Sequence, residues 1–329
     1  MCIFATPVKN VSKTKIFVAP LQGANRQLTI YQNSVSTDEN GKQVVMILPF
    51  RRHNVHYAPP VFIDMTQNDD CRNFFKCIDE KFEPLPEPLV KSLSKSKSKS
   101  VLSVEKHGSY LVSVAKSFYG IRDVDSSVFE DMPKNVFRIL SDNYYSGYGF
   151  IICKSTSTNE NFEPIAYVTD IITTEPMEKR LFAPTRHAHP KKNADDDYEE
   201  ADWDHLIYVA GATCHLAQDE KIDVQVNGMV PYNNFNIPIS LEKDIFPRGF
   251  VQILNKMDIK LQLVLDRRFT RYHVTDYPNR DIILPLALFG DMSKFEDDKA
   301  PLASSIKKRT EKKRKARKVL FAPRKKIQK

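Results

Sequence analysis

Short runs of β-branched and aromatic residues, one after another, are what most limits the folds open to this chain. They are KIFVAP (15–20), RQLTIYQNSV (26–35), QVVMILPF (43–50), SYLVSVAK (109–116), YGFIICKS (148–155), IAYVTDI (165–171), HLIYVAG (205–211), KIDVQVNGM (221–229) and IKLQLVLDRRFTRYHV (259–274). Runs of this length and composition suit strands. Several alternate: Ile222, Val224 and Val226 share one face, Asp223 and Gln225 the other. Helical periodicity is rarer. Residues 68–82 set Cys71, Phe74, Phe75 and Ile78 at i, i+3, i+4 and i+7, with Asn68 and Asp69 as candidate caps. Residues 126–147 read as two short helical pieces broken near Pro133. Strands outnumber helices and do not alternate regularly with them. The pattern predicts an α+β body rich in antiparallel strands, not a doubly wound sheet.

A chain of 329 residues holds one large domain or two intimate ones. Two stretches cannot pack a core. Residues 84–104 begin with a stiff PLPEP and continue into a low-complexity Lys/Ser run, which predicts a disordered surface insertion. Residues 190–204 form an acidic loop carrying Asp195, Asp196, Asp197, Glu199, Glu200, Asp202 and Asp204. Strand-like sequence resumes after each, so both interrupt a body that spans 1–300, and 301–329 make a basic disordered tail.

Charge separates that tail from the rest. Residues 307–329 hold thirteen of the 49 basic residues and only one of the 41 acids; the other 306 residues carry 36 and 40. A mildly acidic body therefore bears a strongly cationic segment: Lys307, Lys308, Arg309, Lys312, Lys313, Arg314, Lys315, Arg317, Lys318, Arg324, Lys325 and Lys326. Such a density releases many counterions on a duplex and predicts binding to nucleic acid or another polyanion, with little sequence readout because only Phe321 could stack. It also reads as a nuclear-import sequence. The Lys/Ser run is too diluted to form a groove and reads as a phosphorylation target.

Other classes are disfavoured. With ten glycines and neither GxGxxG nor GxxxxGK[ST], a glycine-rich phosphate loop is not expected. No apolar run reaches eighteen residues, so membrane insertion is not expected. The start, MCIFATPVKN, has no basic-then-apolar leader, and the five cysteines form no CxxC pair. Together these predict reduced thiols in a cytoplasmic or nuclear protein that is not secreted.

Two constellations could carry chemistry. Removal of Met1 would leave Cys2 with its thiol and a free α-amino group on one residue, the arrangement of an N-terminal-nucleophile hydrolase; in most proteins a cysteine at position two is only a small residue. Four of the eight histidines, His187, His189, His205 and His215, lie within 29 residues. On a strand, HAH puts His187 and His189 on one face. With His205 and the carboxylates of Asp202 and Asp204 they could hold zinc or a similar ion, although the spacing matches no zinc-finger or HExxH pattern and a structural role for the imidazoles is the plainer reading.

The chain resembles a family of uncharacterised proteins found in bacteria, protists and large DNA viruses. Its members begin Met-Cys and share a T-[KR]-I-F step (Thr14–Phe17 here), an RQ-L-x-Y strand (Arg26–Tyr31) and an M-[IV]-L-P strand (Met46–Pro49). Further matches are Asp64, Phe74–Phe75, Gly108–Tyr110, Gly147–Phe150, a P-T-x-H-x-H segment within Phe182–His189, and D-H-x-[IL]-Y at Asp204–Tyr208. The resemblance runs over about residues 1–290 and excludes the Lys/Ser insertion and the tail. The family has no settled activity, so the resemblance implies no catalytic residue; Cys2, His187, His189 and His205 do fall inside its motifs.

The reading that follows is a soluble, non-enzymatic binding or structural protein, anchored to nucleic acid or another polyanion by its tail, in a nucleoprotein or virion setting. The alternative is an amide hydrolase using Cys2. The third is a metal-dependent hydrolase at His187, His189 and His205. A resident cofactor is not expected unless zinc occupies that cluster, and composition leaves the oligomeric state open.

Overall fold

The computed structural model describes residues 2–21, 25–37, 43–52, 58–80, 105–124, 133–156, 162–174, 178–190, 198–199, 205–210, 230–236, 246–259, 268–274 and 281–285. All fall within the compact unit Met1–Ala287. The Lys/Ser insertion, the strand expected at 221–229, the helical piece expected before Pro133 and the basic tail lie outside these residues.

Two seven-stranded sheets and one three-stranded sheet make the frame. The first sheet runs, from one edge to the other, β13 (Tyr198–Glu199), β12 (His187–Pro190), β1 (Cys2–Phe4), β4 (Val45–Arg51), β8 (Tyr148–Ser155), β7 (Tyr110–Ala115) and β6 (Glu105–His107). The second runs β15 (Val230–Asn236), β16 (Arg268–Val274), β14 (His205–Ala210), β2 (Asn10–Pro20), β3 (Arg26–Ser36), β9 (Ile165–Asp170) and β5 (Val61–Ile63). The small sheet is β10 (Ile172–Thr174), β11 (Glu178–Ala183) and β17 (Ile282–Pro285). Pairing among the described strands is antiparallel except at two seams, β1 with β12 and β2 with β14. Mixed, antiparallel-rich sheets with a few short helices are thus what the strand-rich sequence produces.

The alternation of side chains sorts the core into three apolar layers. Between the two large sheets lie Phe4, Met46, Leu48, Ile151 and Cys153 from the first and Ile16, Val18, Tyr31, Tyr167, Ile207 and Val209 from the second, with Leu181 and Ile282 of the small sheet. The outer face of the second sheet, with Phe17, Leu28, Ile30 and Tyr208, packs against Cys71, Phe74, Phe75 and Ile78 of α1 (Asp69–Arg72) and α2 (Phe74–Asp79). Phe250, Ile253 and Leu254 of a helix at Arg248–Lys256 join that layer. The outer face of the first sheet, with Ile3, Ile47, Phe150 and Ile152, packs against α3 (Lys134–Tyr144) and a 3-10 turn at Tyr119–Asp123. The order is helix, sheet, sheet, helix. Because both faces of the central strands are covered, β4 and β8 read as nearly unbroken apolar runs, not as alternating ones.

Local chemistry explains the helix ends. The side chain of Asn68 accepts a hydrogen bond from the Cys71 backbone N–H at 2.9 Å and caps α1. The single helix expected over 68–82 divides at Asn73, yet all four of its apolar positions are buried as the spacing requires. Pro133 starts α3 and Pro247 starts the helix at Arg248–Lys256, which is α4; proline pre-sets φ and lacks an N–H that the first turn could not use.

Two devices knit the layers. Lys13 has φ +52° at a bulge between Ser12 and Lys15 of β2. The extra residue shifts the alternation, so Val11 before it and Ile16 and Val18 after it all face the inter-sheet layer. Gln27 of β3 is buried and imitates a peptide group: its Nε2 donates to the Phe182 carbonyl at 2.7 Å, and its Oε1 accepts from the Phe182 N–H at 2.8 Å. That side chain sutures the small sheet to the second large one.

Candidate functional site

The two parallel seams bring the sequence's chemically distinctive residues to one place. In the first, β1 and β12 set Cys2 opposite His187 and Ile3 opposite Ala188. In the second, β14 and β2 set His205 opposite Thr14, Ile207 opposite Ile16 and Val209 opposite Val18. Ile3 and Ala188 belong to the outer layer under α3, so His187 turns to the opposite, inter-sheet side. On β14, Ile207 and Val209 fill the inter-sheet layer, and His205 shares their face. The imidazoles therefore approach from opposite sheets. Their ring centroids are 4.7 Å apart at an interplanar angle of 67°.

This place is dry. His187 is 1% exposed, His205 0% and Thr14 1%. Burial, and next the neighbouring imidazole of His187, holds His205 well below the usual histidine range, so it is neutral at physiological pH. A neutral imidazole can bond through one ring nitrogen and accept through the other, or ligate an ion; it cannot supply a charge.

The approach to His187 is fixed by Asp281. Its Oδ1 accepts from the backbone N–H groups of Thr185 and Arg186, at 3.0 and 3.1 Å. Its Oδ2 accepts from the Tyr144 hydroxyl at 2.6 Å. One carboxylate thus ties the end of α3, the start of β17 and the two residues that lead into β12. Tyr144 is pushed well above the usual phenol range by burial and then by the Asp281 carboxylate. It stays a donor.

The expected site residues are distributed as follows. His187 and His205 meet. His189 lies two residues along β12, in register with Glu199 of β13, which draws part of the acidic segment 190–204 into the sheet; no more of the His189 side chain is described. Cys2 opens β1 beside His187, and its side chain likewise falls outside the described atoms. Asp202, Asp204, His215 and the tail from Lys307 to Lys326 lie outside the described residues. Among the described residues no group of three His, Cys, Asp or Glu could hold a metal ion, and no helix is long and apolar enough to cross a membrane. Sequence reasoning passed over Asp281, which stands alone before IILP with nothing local to mark it, and Thr14, whose place opposite His205 depends on the bulge at Lys13.

No family model matches the chain, and no curated protein matches it. Among solved structures, the crystal structure of baculovirus P35 is similar to it with a TM-score of 0.43 and 12% identity, the alignment covering 85% of this chain and 97% of that one.

Proposed function

We propose that the chain is a non-enzymatic binding protein whose cationic segment 307–329 holds it to nucleic acid or another polyanion, with a nucleoprotein or virion as a fitting setting. The observation that carries the non-enzymatic half is burial. Of the residue types most suited to catalysis, His187 and His205 lie in the core, where they, Thr14 and Phe4 are each at most 1% exposed. A substrate must touch a nucleophile and its base, and these two imidazoles are buried between two sheets. The binding half rests on charge, thirteen basic residues against one acid in 23.

Retention on heparin or duplex DNA tests this. The full chain binds at low salt and elutes steeply as salt rises, and deletion of 307–329 abolishes retention. A truncated chain that binds equally well would refute the anchor.

A second reading keeps one observation in its favour: Cys2 and His187 are direct register partners. An N-terminal cysteine nucleophile there needs Met1 removed and a thiol that reacts first among five with iodoacetamide. Intact mass and peptide mapping decide this, and a retained Met1 ends it. A metal reading would have His187 and His205 share zinc with His189, consistent with rings 4.7 Å apart. Elemental analysis of untagged protein, finding no stoichiometric metal, would remove it.

A further inference from the structure

Beside the Asp281 clasp stands a group of side chains that neither the two seams nor the proposed anchor uses. Tyr148 opens β8 and packs in the outer layer of the first sheet. Its ring is walled by Tyr144, edge to face with centroids 4.9 Å apart, and by Phe182 at 5.8 Å. Arg51 closes β4 as the register partner of Tyr148 and lays its guanidinium carbon 4.0 Å from the centre of that ring. Arg186 arrives from another direction, one residue before β12, with its backbone N–H held by Asp281 at 3.1 Å. Both arginines are half-buried.

The charges that act on the Tyr148 phenol are those of Arg51, Asp281 and Arg186. Two cations therefore share this end of the sheet with one carboxylate, and that carboxylate is already engaged. Its Oδ1 accepts from the Thr185 and Arg186 backbone N–H groups, and its Oδ2 accepts from the Tyr144 hydroxyl. Neither guanidinium makes a hydrogen bond or an ion pair among the described residues, and the Nε atom of each is buried. A buried donor without an acceptor is costly, and more so when it is charged, so both arginines favour an acceptor supplied from outside. The Tyr148 hydroxyl likewise has no hydrogen-bond partner among the described residues. Burial pushes it up to about 12, so at physiological pH it keeps its proton and can donate.

We propose that Arg51, Arg186 and the Tyr148 hydroxyl form a binding site for a phosphoryl group, as the free ion or as a small monoester. A carboxylate is planar and is satisfied by one guanidinium fork. Two forks that reach in from β4 and from the approach to β12, with a phenol beside them, suit a tetrahedral anion that offers three or more acceptor oxygens. Stacking on Tyr148 already orders Arg51, and Asp281 already orders the backbone of Arg186, so little freedom is lost on binding. The site does not involve residues 307–329, so it and the anchor fail separately.

Equilibrium dialysis of the full chain against radiolabelled inorganic phosphate, glycerol phosphate and acetate tests this. The variants are Arg51→Gln, Arg186→Gln, their double, Tyr148→Phe, and Lys312→Gln/Lys313→Gln/Arg314→Gln in the tail. Thermal melts by circular dichroism, with and without excess phosphate, report folding; if Arg51→Gln does not fold, Arg186→Gln and Tyr148→Phe decide. The expected result is saturable phosphate binding that weakens about tenfold or more in each arginine variant and about threefold in Tyr148→Phe. The tail variant stays within about twofold of the parent, and phosphate raises the melting midpoint of the parent and not of Arg186→Gln. Tighter binding of glycerol phosphate marks a monoester as the ligand and tighter binding of inorganic phosphate marks the free ion; either supports the site. Four outcomes overturn it: no saturable binding to the parent, equal binding to the folded arginine variants, acetate bound as tightly as phosphate, or loss of binding in the tail variant alone.

Discussion

Two aromatic pairs in this protein have nearly the same contact geometry and opposite surroundings. His187 and His205 meet at 67° with centroids 4.7 Å apart and are buried between the sheets; Tyr119 and Tyr145 meet at 75° and 5.7 Å on the outside of the first sheet, more than half exposed. In the first pair the polar atoms lie in a buried layer, so their state is a condition of folding. In the second they are more than half exposed, so the rings add little to stability. The lesson is that residue type does not by itself say where in the fold a side chain lies. His187 and His205, of the type a chemist would choose as catalytic, are in the core, and Tyr119 and Tyr145 are on the surface.

Putting a charge into the buried pair is the harshest way to break this comparison. His205→Asp introduces a carboxylate into the buried layer between the sheets, and a poorly compensated buried charge costs about 3–5 kcal/mol. Urea unfolding should show a loss of that order or no soluble fold; a loss below about 1 kcal/mol would mean that water reaches the pair.

Removing the support of His187 comes next. Asp281→Ala leaves the buried Tyr144 hydroxyl and two backbone N–H groups without this acceptor. The expected cost is about 1–3 kcal/mol. Tyr144→Phe/Asp281→Asn should recover part of it, since a neutral acceptor returns to the N–H groups and the orphaned hydroxyl is gone.

Acid should separate the pairs without mutation. His205 has a folded pKa well below its ordinary 6.5, so the unfolded chain binds its proton first. The stabilising contribution is complete above about pH 6.5 and is lost as pH falls from there towards the folded value. Unfolding midpoints measured in urea from pH 8 to pH 5 should decline on the acid side, and His205→Leu should flatten that decline relative to the parent. An unchanged slope would show that His205 is not the titrating group.

The exposed pair should give the smallest effect on stability. Tyr119→Ala and Tyr145→Ala should each shift unfolding free energy by about 0.5 kcal/mol or less. A larger shift would make the tyrosines part of the core under α3.

Legibility followed locality. The runs at 26–35, 43–50, 148–155 and 165–171 appear as β3, β4, β8 and β9 with nearly the same limits, because β-branched and aromatic side chains suit a strand whatever packs on it. The apolar spacing of Cys71, Phe74, Phe75 and Ile78 marked a buried helical face, and the break at Asn73 did not alter which side chains enter the core. The helix at Arg248–Lys256 went unread although Pro247, Phe250, Ile253 and Leu254 supply its start and its stripe; nine residues beside strand-like sequence give periodicity little room. Its N-terminal proline was the usable signal.

What the sequence determined by itself is the supply of strands, the apolar faces of its short helices and the concentration of positive charge in 307–329, since each depends on neighbours within a few residues. What only the tertiary structure decided is who meets whom. The seam that sets Cys2 against His187 joins residues 185 positions apart, and the one that sets Thr14 against His205 joins residues 191 apart. The Asp281 clasp and the Tyr119–Tyr145 contact are likewise made by packing between elements far apart in sequence. Register and layer order arise from burying every apolar face at once, and no local pattern in a chain carries that global requirement.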